Sequence, residues 1–324
     1  MHAITSAKRV LLAAAAAFVI LAFAPVVLSD YWLSFLINTL CYVVLATAWR
    51  IFSGPTRYFS LAVAAFFGIG AYVVAVFQEL LPLYAAFALA SAVGAAVALV
   101  VGLTTLRVSG VHFVIFTFGL AELIRELAIW WEINQTKTVG RYVLIDFDNV
   151  LIYLHLLGLT AIVLLLGYVI ESSKLGAALR VIGEDEIVAD QSGINRSVVK
   201  VSAFAISAVI MTFAGAVMAP RWSYINPNTV FSAMVSFQVV IMALLGGMHR
   251  LWGPMLGVIP IVVISEFLLT TFPRAYAILL GGIFLLIVYF LPNGVAGIVE
   301  GCWGHLKARF GPAFVKQGVN PTKG

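Results

Sequence analysis

The sequence predicts an all-α integral membrane protein of about ten transmembrane helices. Three observations carry that expectation. Of 324 residues, 63% are hydrophobic and only 10% charged, and the mean hydropathy is +1.08, a composition that no water-facing surface accommodates. Long apolar runs such as residues 154–170 show no alternation of polar and apolar positions. They therefore read as helices that satisfy their own backbone groups, not as barrel strands. The basic residues, finally, are distributed unevenly between the connections.

In chain order the apolar stretches lie near residues 10–28, 31–49, 59–81, 83–105, 111–131, 151–170, 198–219, 231–248, 252–272 and 275–291. The first follows Lys8 and Arg9 and continues through Pro25 to Leu28. That is longer than a secretory signal core, and it reads as an uncleaved anchor. The third opens on Phe59-Ser-Leu-Ala-Val63 and the eighth on Phe231-Ser-Ala-Met-Val235, a faint sign of two halves related by an inverted repeat. The fifth carries Glu122, Arg125 and Glu126 at helical spacing, and the ninth carries Glu266 alone.

An even number of spans puts both termini on one side. With the N-terminus in the cytoplasm, only Lys137, Arg141, Arg221 and Arg274 of the 19 basic residues lie outside. Arg125 lies within a span and the other fourteen face inward. This is the asymmetry that retention of positive charge produces. It also explains the net charge of +5 without nucleic-acid binding. The single membrane domain is expected to run over residues 1–300, with a cytoplasmic tail at 301–324. Cys41 and Cys302 are too far apart and too apolar in setting for a disulfide framework. No metal-ligand spacing, phosphate-binding loop or catalytic set is visible, so no cofactor and no enzymatic activity are expected.

The inside connection at 171–197 is the informative one. Leu175, Ala178, Leu179 and Ile182 share one helical face, with Ser172 or Ser173 as N-cap. Gly183 is the expected break. Glu184, Asp185 and Glu186 then suit the positive end of a second short helix. Gly193 suits a left-handed terminator, and Asn195 or Ser197 a cap for the next span. The apolar Ile187 and Val188 beside these acids suggest a docking element, since a merely solvated loop has no need of them.

Residues 173–219 resemble, in order and spacing, the cytoplasmic loop and following span of permease subunits of ABC importers for branched-chain amino acids, of the LivM type. Residues 54–72, 106–128 and 244–258 resemble three further blocks of that family. The resemblance implies an ABC importer permease fold with a cytoplasmic coupling helix between spans six and seven, contacting an ATPase through Glu184, Asp185, Glu186, Ala189, Gly193, Ile194 and Asn195. It implies two cytoplasmic ATP-binding subunits, a second, LivH-like permease, an extracytoplasmic substrate-binding protein and residence in the bacterial inner membrane. The chain departs from the family pattern at Arg57, Ala62 and Val63, where Gly, Gly and His are usual. The cargo thus remains open between branched-chain or other hydrophobic amino acids and urea, amides or aromatic acids. An ion-coupled secondary transporter is the alternative class. Ser60, Glu122, Arg125, Glu126 and Glu266 are the candidate residues of a translocation path; the three charged residues of span five serve equally well as a self-compensating packing cluster, and Glu266 as a partner of Arg125.

Overall fold

A computed structural model of the chain describes residues 18–290 apart from 107–109, 146 and 249. Residues 10–17 of the first expected span and the whole of the tail 301–324 lie outside these residues. The described chain is helical apart from one small ribbon. One turn, α1 (Ala24–Val27), precedes α2 (Asp30–Thr56), α3 (Val63–Phe77), α4 (Leu83–Thr105) and α5 (Val111–Thr136). After strand β1 (Arg141–Tyr142) come α6 (Asn149–Ser172), α7 (Lys174–Glu184), α8 (Glu186–Gln191) and α9 (Arg196–Met218). Strand β2 (Tyr224–Ile225) leads into α10 (Pro227–Val230), α11 (Ala233–Gly246), α12 (Gly253–Thr271) and α13 (Tyr276–Phe290).

Among the described residues six helical stretches are long and apolar enough to cross a membrane: Asp30–Thr56, Leu83–Thr105, Asn149–Ser172, Arg196–Arg221, Pro227–Gly246 and Gly253–Thr271. This is a multi-pass membrane architecture. The stretch expected over 59–81 contains a helix of only 15 residues, Val63–Phe77. Its entry is irregular because α2 continues to Thr56 and ends on Arg57, which takes the left-handed conformation (φ 59°). This is a conformation that Gly adopts freely and that a side-chain-bearing residue takes only uncommonly. The eighth stretch is likewise interrupted at Phe231–Ser232, between α10 and α11. The two irregular entries meet: Ser236 Oγ donates to the Leu61 carbonyl (2.8 Å) and accepts from the Ala64 amide (2.9 Å).

Helix α9 is the centre of the bundle and packs against α2, α3, α4 and α6. Small residues bring the backbones together where α3 and α9 cross. A Cβ on Gly70 would collide with the Thr212 carbonyl, and one on Gly215 with the Phe67 carbonyl. This close approach substitutes for the hydrophobic drive that lipid does not supply. Phe52, Phe66, Phe113 and Phe204 form an aromatic core around it, and Trp49 Nε1 donates to the Ser60 carbonyl at 2.8 Å.

At the end of α9 away from the α7–α8 loop, β1 and β2 pair antiparallel with Arg141 opposite Ile225. Gln78 grips this ribbon, donating to the Tyr142 carbonyl (2.7 Å) and accepting from the Leu144 amide (3.0 Å). Replacing Gly215 by Val drives a branched side chain into the α3 backbone. Overpacking of this kind costs about 1–3 kcal/mol or more, and the unfolding midpoint of the detergent-solubilised chain should fall by at least about 5 °C.

Candidate functional site

The 171–197 connection folds as two helices, and the break falls two residues later than the sequence suggests. Helix α7 runs through Gly183 to Glu184, and Asp185, in extended conformation (φ −155°, ψ 119°), separates it from α8. Gly183 is required for a different reason: a Cβ there would strike the Pro55 carbonyl, so it lets α7 lie against the end of α2. Ser173 is the cap of α7, accepting from the Gly176 amide at 3.4 Å. Asp185 caps α8 by accepting from the Ile187 (2.7 Å) and Val188 (3.4 Å) amides. Gly193 takes φ 74°, with the Ile194 amide turned back to the Ala189 carbonyl at 3.1 Å. Asn195 caps α9 through the Val198 amide at 3.2 Å.

The acids of this loop do three different things. Glu184 is exposed and Asp185 is engaged as a cap. Glu186 turns inward. Its Oε1 accepts from Lys200 Nζ at 3.0 Å and from the Tyr58 hydroxyl, and its Oε2 from Arg196 Nη1 at 2.8 Å. Lys200 is only 3% exposed and lies 4.6 Å above the Tyr58 ring. Asp190 adds a second contact to Arg196, 2.6 Å from its Nε. Burial by itself pushes the Glu186 carboxyl upward; the hydrogen bonds from Tyr58 and Lys200, the Lys200 charge and the Arg196 hydrogen bond outweigh it and hold the group below its ordinary value.

A second tie lies where α6 meets α7. Buried Arg50 of α2 bonds Glu171 through Nη2 (2.5 Å) and the Met248 carbonyl through Nε (2.9 Å), and Arg180 donates to the Glu171 carbonyl at 3.2 Å. Two apolar side chains of α8 point outward beside Asp190 and Gln191: Ile187 is 68% exposed and Val188 48%, while Ala189 is fully buried.

The expected path residues are only partly gathered. Arg125 lies 2.7 Å from Glu122 and 2.9 Å from Glu126, so the three compensate each other along α5. Glu266 is not the partner of Arg125: its Oε1 accepts from the Tyr31 hydroxyl at 3.3 Å. Ser60 is buried in the core, where its Oγ accepts from the Ala62 amide at 3.3 Å. Composition could not point to the interior space at the far end of α9, a cavity of about 410 Å³ bounded by α2, α3, the end of α9 and α10. Its wall combines Leu45, Phe67 and Trp222 with the polar Asn38, Tyr42 and Asn226.

A family model described as "Branched-chain amino acid transport system / permease component" matches residues 31–288. The chain belongs to this family. It is 26% identical to the high-affinity branched-chain amino acid transport system permease protein LivM of Salmonella typhimurium over 313 residues, covering 86% of this chain and 72% of that protein. LivM of Escherichia coli is 26% identical over 291 residues, 79% of this chain and 68% of its own length. BraD of Pseudomonas aeruginosa is 30% identical over 132 residues, 40% of this chain and 42% of its own. No solved structure matches the chain.

As a permease of this family, the protein carries at 132–150 a connection that composition alone makes look unremarkable. Glu132 is in fact fully buried, accepting from the Gly140 amide at 2.5 Å with Arg141 Nε 3.2 Å away. Arg141 lies 5.1 Å from the Trp131 ring. Acid and base lie nine positions apart, too far for a helix-face rule, so no local pattern announces the pair.

The direction of the Glu186 shift sets the pH behaviour of the loop. A carboxyl held low in the folded state contributes stability that is present above its unfolded value, about 4.3, and lost as pH falls through the lowered folded value. Hydrogen exchange of residues 186–195, corrected for intrinsic rates, should therefore be flat from pH 8 to about 5 and accelerate only under more acidic conditions. In Glu186→Gln, which strands buried Lys200, the same amides should exchange at least about tenfold faster at pH 7.

Proposed function

We propose that the chain is the LivM-type permease subunit of an ATP-driven importer in the bacterial inner membrane, carrying branched-chain or other hydrophobic amino acids. On this reading it crosses the membrane about ten times, with both termini and the α7–α8 loop in the cytoplasm. Residues 1–300 form the permease domain and 301–324 a cytoplasmic tail. Two ATP-binding subunits drive transport, a second LivH-like permease completes the path, and an extracytoplasmic binding protein delivers the cargo.

The observation that carries the reading is the construction of the α7–α8 loop. It is clamped to α2 and α9 by Arg50–Glu171 and Glu186–Lys200, yet it presents Glu184, Ile187 and Val188 outward. A segment built so transmits force: a partner gripping its outer face moves α9 with it. Of the residues proposed for coupling, Glu184 then makes contact, while Asp185, Glu186, Ala189, Gly193, Ile194 and Asn195 shape the surface. Ile187 and Val188 join the contact set. Glu122, Arg125, Glu126 and Ser60 hold helix packing, and Glu266 stays at the Tyr31 contact.

The combined Glu184→Arg and Ile187→Arg variant alters the contact surface without touching a cap or the clamp. It should insert and fold normally, lose co-purification with the ATP-binding subunits, and lower ATP-dependent uptake at least about tenfold. Undiminished uptake would remove the loop from the coupling mechanism.

A further inference from the structure

The far end of α9 holds a cation that forms no ion pair among the described residues. Arg221 closes the turn Ala219–Arg221 that follows α9. Its Nη1 is buried and has no hydrogen-bond partner among the described residues, and it forms no ion pair there. Trp222, next in the chain, lines the 410 Å³ cavity, as does Cys41, whose thiol lies within electrostatic reach of the Arg221 guanidinium.

The surroundings are selective. No residue lining the cavity is charged. Leu45, Phe67 and Trp222 form an apolar side, and Asn38 and Tyr42 stand on α2 as hydrogen-bonding groups. Tyr42 is fixed in orientation, since its hydroxyl donates to Gln238 Oε1 at 2.7 Å, and Gln238 Nε2 in turn donates to the Tyr276 hydroxyl at 2.9 Å. A guanidinium nitrogen buried without a partner among the described residues is a costly arrangement that an incoming anion relieves. The volume is in the range of small-ligand sites.

We propose that this cavity is a cargo site on the permease itself, with Arg221 receiving the carboxylate of an amino acid whose apolar side chain rests on Leu45, Phe67 and Trp222. The inference deepens the importer reading and depends on it for the class of cargo. It also separates the cargo candidates. Urea and neutral amides have no carboxylate for Arg221, so they bind poorly, whereas an apolar amino acid satisfies both the cation and the wall. A carboxylate entering the cavity meets Arg221 as the charged group beside it, and only neutral hydrogen-bonding groups within it.

Equilibrium binding of radiolabelled L-leucine to the purified full-length chain in lipid nanodiscs tests this. Unlabelled L-leucine should compete at least tenfold better than L-leucinamide, which has the same side chain and amino group without the carboxylate. Arg221→Gln should weaken binding at least tenfold and Arg221→Lys by less than threefold. Leu45→Trp, which fills the cavity and leaves Arg221 in place, should also abolish binding, and gel filtration confirms that each variant is folded. No saturable leucine binding to the wild type, equal competition by the amide, or wild-type binding by folded Arg221→Gln overturns the proposal. ATP-driven uptake by the assembled complex, measured in parallel, separates the two readings: uptake without this binding removes the site and keeps the importer, and binding without ATP dependence does the reverse.

Discussion

The arrangement turns on one carboxylate. Glu186 holds α8, the start of α9 and the α2–α3 turn at once, through Lys200, Arg196 and Tyr58. A solvent-exposed ion pair would contribute little. This one is different because Lys200 is buried, and a buried ammonium without its partner is far costlier than the pair. The loop is thereby held in one position by the bundle itself. Arg50 and Glu171 do the same for the preceding turn, so the α7–α8 segment has two anchors.

That fixation matters because of what α9 spans. Its 23 residues extend about 35 Å at 1.5 Å per residue, close to the hydrocarbon thickness of a bilayer. One end carries Arg196 and Lys200 of the clamp, and the other ends at Met218 on the wall of the interior cavity. The Gly70 and Gly215 crossings lock α3 to the same helix. Helices seated backbone against backbone shift as rigid bodies and do not deform smoothly. On the proposed importer reading, a displacement of the loop would be carried along α9 to the cavity.

Much of this was legible in the sequence where local chemistry decides the outcome. Ser173, Gly193 and Asn195 cap and terminate the helices the pattern assigned to them, because capping is settled within three or four residues. Gly183 looked like a break and is a contact. Its role depends on Pro55, 128 positions earlier, and no local rule reaches that far. The acids 184–186 read as one cluster, yet tertiary contacts divide them into a surface group, a cap and a buried clamp. Glu132 and Arg221 carried no pattern at all: burial made the first a structural acid, and the second has a buried nitrogen with no partner among the described residues. Family resemblance, spread over four blocks, identified the architecture while leaving these individual roles to the three-dimensional packing.

The claim that loop and bundle are joined through Glu186 is tested most directly by a double-mutant cycle with Glu186→Gln and Lys200→Met, read as the free energy of local opening from hydrogen exchange in α8. Each single change should lower that opening free energy, and the double change should cost less than the two together, with a coupling of at least about 1.5 kcal/mol. Single effects that add to within about 0.5 kcal/mol would show that the loop is held by something else.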